Sequence, residues 1–127
     1  MKLSKLLLLV FVFISVTLSC KKEEKEVVKE KVKLYIIAEP GLYLTAFPLV
    51  LQLSGTNIET QSNITTTHIM EVQFNKGEPQ TLNLKVVSGK IENEMSLAVS
   101  NVISLNDQGR IAYKTSRSGD ISLTFVP

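Results

Sequence analysis

The chain has 127 residues, 44% hydrophobic and 20% charged, with one cysteine, one histidine and no tryptophan. That length allows one domain and excludes two, and a formal charge of +2 with no basic patch excludes the phosphate-tracking surface of a nucleic-acid binder. One cysteine permits no disulfide within the chain, so its core alone must hold the fold.

Met1-Lys2-Leu3-Ser4-Lys5 is a charged start, and Leu6–Ser19 is an apolar run ending in small residues before Cys20. This is the layout of a secretory signal peptide. Thr17-Leu18-Ser19-Cys20 resembles the lipobox of bacterial lipoproteins. That family prefers an aliphatic residue three places before the cysteine, where this chain has Thr17. The resemblance implies that residues 1–19 are removed and that Cys20 is lipidated as the first residue of the mature protein. The partner would then be a lipid bilayer, held through acylated Cys20, and the location the bacterial cell envelope, at the outer membrane or cell surface. Two other readings of the segment stand beside it. An ordinary secretory signal would leave a free thiol, which is unusual in an oxidising compartment. A retained anchor would need about 20 apolar residues, whereas Leu6–Leu18 is 13 residues long with Ser15 and Thr17 inside it.

Cleavage before Cys20 also removes Lys2 and Lys5, leaving 12 basic and 12 acidic residues in a neutral chain. Residues 20–33 form a linker, and positions 21–33 hold six Lys and four Glu. So little of this stretch can be buried that ordering it is not compensated, and a solvated tether is expected.

Beyond the tether, short β-type runs alternate with turn residues. Val32–Ile37 is stopped by Glu39-Pro40-Gly41, and Leu49–Leu53 by Ser54-Gly55. Ser62–Thr67 reads as a loop entering a strand in which His68, Met70, Val72 and Phe74 share one face. Asn75–Pro79 is a turn. Leu82, Leu84 and Val86 alternate with Asn83 and Lys85. Met95, Leu97 and Val99, then Val102–Leu105, read as one bent strand or two, followed by Ile111–Lys114 and by Ile121, Leu123 and Phe125. No helical stripe appears past residue 33. The reading is all-β: a single antiparallel sandwich of about seven strands over residues 34–127, with a barrel as the rival.

Residues 68–126 resemble a bacterial immunoglobulin-like (Ig-like) domain of the invasin type. The pieces are Asn75-Lys76-Gly77-Glu78-Pro79, Leu82–Gly89, Asp107-Gln108-Gly109 and the alternating strand after Gly119. Transthyretin-like and carboxypeptidase-regulatory-like sandwiches share the cadence. The resemblance implies an Ig-like sandwich acting as a spacer or adhesive module, and it brings no catalytic residues.

The residue inventory offers little chemistry. His68 has no second His or Cys with which to build a metal site, so a packed position is expected. Glu92 and Glu94, with Asp107 or Asp120, are the only candidates for a weak calcium site, and no ligand-loop pattern accompanies them. No Gly-x-Ser-x-Gly elbow or phosphate loop occurs. Asn63-Ile64-Thr65 matches a glycosylation sequon by chance. Tyr43 and Phe47-Pro48 are expected to cover the core. The expectation is a membrane-anchored, non-enzymatic lipoprotein without cofactor or metal, displaying its domain for adhesion, spacing or contact with an envelope protein. The alternative is a periplasmic ligand-binding or inhibitor module on a transthyretin-like sandwich.

Overall fold

The computed structural model describes residues 29–41 and 49–127. They form eight strands: β1 (Lys31–Glu39), β2 (Val50–Gly55), β3 (Gln61–Ile64), β4 (His68–Asn75), β5 (Gln80–Ser88), β6 (Met95–Ser100), β7 (Arg110–Ser116) and β8 (Ile121–Phe125). One four-stranded sheet runs β4-β1-β6-β7 and the other β3-β2-β5-β8. Every neighbouring pair is antiparallel. The described residues are therefore all-β, with two sheets packed as a sandwich.

Period-two alternation builds the core between the sheets. Leu34, Ile36 and Ala38 of β1 face Leu51 and Leu53 of β2 and Leu82 and Leu84 of β5. Met95, Leu97 and Val99 of β6 and Ile121, Leu123 and Phe125 of β8 complete the cluster. Phe74 and Phe125 meet edge to face, centroids 5.5 Å apart and ring planes at 86°, an arrangement that the ring quadrupoles favour.

Two expectations need correcting. The strand count is eight, because residues 61–64 form β3 rather than part of a loop. Only Ile64 of that strand is buried, and its pairing with β2 shifts register between Leu51 and Leu53, so the polar residues carry no alternating signal. Asn63 sits at φ 61°, a left-handed conformation that asparagine tolerates. Secondly, Val102–Leu105 is not a strand. Asn101 N donates to Gly109 O at 2.9 Å, and Ser100 Oγ donates to the same carbonyl and accepts from Val102 N, which turns the chain at the end of β6. β1 begins at Lys31, one residue before the run Val32–Ile37. Lys31 and Lys33 are exposed on its outer face, while Leu34 and Ile36 are fully buried.

The register defines two ends. The proximal end carries the start of β1, the β4–β5 turn, the β6–β7 loop and Pro127. Lys76 N donates to Glu30 O at 2.8 Å and Gly77 N to Pro127 O at 3.0 Å. The distal end carries Gly41, residues 65–67, the β5–β6 loop (89–94) and the β7–β8 turn (117–120).

Candidate functional site

Cys20 and the signal-like segment, like Tyr43, Phe47 and Pro48, lie outside the described residues. What is described is where the chain leading from Cys20 joins the domain. Lys29 Nζ pairs with Glu78 at 2.7 Å and Lys76 Nζ with Glu30 at 3.0 Å. Hydrogen bonds from Lys29 and then from Asn75 hold the Glu78 carboxyl below its ordinary value. A lowered carboxylate contributes stability at neutral pH that is lost as acid protonates it. Exposed pairs of this kind contribute little each, but they fix the chain's exit at the proximal end.

His68 opens β4 opposite Ala38. Its Nε2 is buried without a hydrogen-bond partner, and no group of three or more His, Cys, Asp or Glu suited to a metal exists among the described residues. A buried polar atom without a partner costs about 1–3 kcal/mol. His68→Leu is therefore expected to melt at or above the wild-type temperature, and a clear loss of stability would contradict the packed role.

The acidic candidates do not converge. Glu92 and Glu94 are exposed in the distal β5–β6 loop. Asp107 lies in the proximal loop and pairs with Arg110 at 2.6 Å. Asp120 accepts from Val86 N at 2.9 Å, extending the β5–β8 pairing past Leu84 and Ile121. Its role is to close a strand end.

Three surface features were not legible in the sequence. At the distal end an open groove of about 300 Å³ lies between Val86, Ile91 and Gly119, beside the exposed Lys90 and Arg117. On the outer face of the first sheet, Ile69, Ile37, Ala98 and Tyr113 are register neighbours across all four strands. Ile37 is only 2% exposed although it faces away from the core. Arg110 covers the Tyr113 ring, its guanidinium carbon 3.9 Å from the centroid. At the proximal end Val102, Ile103 and Leu105 are 42%, 64% and 56% exposed. The first two features join residues distant in sequence, and the third has the composition of a strand. Among the described residues no helix is long and apolar enough to cross a membrane. In comparisons with known proteins, no family model, curated protein or solved structure matches the chain.

Proposed function

We propose that this is a bacterial envelope lipoprotein, held in a bilayer through acylated Cys20 and displaying a non-enzymatic Ig-like domain for adhesion, spacing or protein contact. The observation that carries the reading is the sole cysteine placed directly after a charged start, an apolar run and the small residue Ser19. The domain's geometry is compatible with display. The chain from Cys20 meets the sandwich at the proximal end, which leaves the distal groove at the opposite end from the anchor.

The pairing scheme supports the Ig-like part. In Ig sandwiches strands C′, C, F and G share one sheet, and B lies between A and E in the other. Here β3-β2-β5-β8 follows the C′-C-F-G order, and β1 pairs with β4 as B does with E. The β6–β7 hairpin is the departure. It falls between the F and G equivalents in the chain, and β6 takes the place beside β1 that strand A would fill. Contact through the distal end would use the apolar Val86 and Ile91 together with the basic Lys90 and Arg117 that line the groove.

Protease treatment of intact cells tests display. Loss of the domain from undamaged cells is expected. Full protection until the envelope is opened would favour the periplasmic ligand-binding alternative, for which the basic side of the groove would suit an acidic ligand.

A further inference from the structure

We infer that the β6–β7 loop is a second, shallow membrane contact, with Val102, Ile103 and Leu105 entering the lipid surface beside the anchor; this rests on the proposed lipidation of Cys20. The loop joins Ser100 to Arg110 at the proximal end, the end that receives the chain from Cys20. Only nine residue steps separate Cys20 from Lys29, so even a fully extended connection spans no more than about 30 Å. An anchor at Cys20 therefore holds this end of the sandwich close to the bilayer.

The loop's construction suits such a contact. Its apolar side chains have no core face to join, since β6 ends at Ser100 and the chain turns back at Gly109, where φ is 69°. Some of its polar groups are used internally. Ser104 Oγ pairs with Asn106 Oδ1 and accepts from Asn106 N at 3.2 Å, while Gln108 N donates to Asn106 Oδ1 at 3.3 Å. These bonds pair the side chains of Ser104 and Asn106 with one another beside the apolar residues, which lowers part of the cost of leaving water. Apolar side chains on an anchored element bind an interface at an effective concentration on the order of mM, so a weak intrinsic affinity suffices. Nearby charges are mixed: Lys29, Lys76 and Arg110 are each paired with an acid. The contact is accordingly apolar rather than electrostatic, and it should be insensitive to salt.

The absence of tryptophan from the chain permits a site-specific test. Ile103→Trp places one fluorophore at the loop tip, and Val87→Trp places one at the distal end, where Val87 is 58% exposed. Each variant is produced as the full chain in a bacterial host, purified from membranes and reconstituted into neutral phosphatidylcholine vesicles with or without brominated acyl chains. The expected result is blue-shifted emission from Trp at 103, quenched at least about twofold by the brominated lipid and unaffected by salt, as wedging of an apolar side chain into the interface requires. Trp at 87 should emit as in water and remain unquenched. Water-like emission at both sites, with protein still on the vesicles, overturns the inference and leaves the anchor intact. Blue-shifted but unquenched emission at 103 means cover by protein, a second copy or another partner, and also overturns it. Protein that does not associate with vesicles removes both inference and anchor. Quenching at 103 that persists in a Cys20→Ala chain from which residues 1–19 are absent keeps the loop contact and removes the anchor.

Discussion

A Phe125→Ala protein is expected to lose about 3–5 kcal/mol of stability, the usual cost of emptying a buried aromatic site. The residue is 6% exposed, packs edge to face on Phe74, and lies on a strand whose backbone ladder pairs with β5 alone. It therefore joins the two sheets on an edge strand that has no second ladder partner to compensate. A chain ending at Gly119 should fare worse, because it also loses Ile121 and Leu123. Each such side chain contributes about 1.5–3 kcal/mol when buried, against a typical total of about 5–15 kcal/mol for a domain. The truncation would also bare the β5 edge to pairing with other chains. Unfolded or aggregated protein is the expected outcome. Denaturant melts of Phe125→Ala provide the finer check, and an unchanged midpoint would show that β8 is peripheral.

The strands that alternate cleanly were readable without a structure. Leu82, Leu84 and Val86 against Asn83 and Lys85, and Ile121, Leu123 and Phe125 against Ser122 and Thr124, face inward and outward as their period dictates. β3 was not readable, since Gln61, Ser62 and Asn63 gain their place by pairing with β2 and only Ile64 reaches the core. The apolar residues Val102–Leu105 had the right composition for a strand, but the hydrogen bonds of Ser100 end β6 before them. Composition alone cannot separate a side chain that seeks the core from one that seeks another surface. The outer row of Ile69, Ile37, Ala98 and Tyr113 depends on three separate strand registers, which no local pattern encodes. Of the acidic candidates, Asp107 and Asp120 fall at opposite ends of the sandwich, a separation set by topology rather than spacing.

The largest functional effect is expected from Cys20→Ala. Each acyl CH₂ buried in lipid contributes about 0.8 kcal/mol, and stable anchoring takes more than one chain, the number the lipoprotein resemblance implies. Against that, the apolar β6–β7 loop exposes three aliphatic side chains at most, too few to hold the domain once the acyl groups are gone. The variant should leave the membrane fraction or accumulate as unprocessed precursor, while the folded domain keeps its stability, because Cys20 lies 11 positions before β1. Partition of wild type and variant between detergent and aqueous phases separates the cases.

The most direct measurement is the mass of the N-terminal peptide of protein extracted from membranes. The account predicts a chain that begins at Cys20 and carries acyl groups on that residue. An unmodified Cys20 thiol, or a peptide that retains residues 1–19, would contradict it.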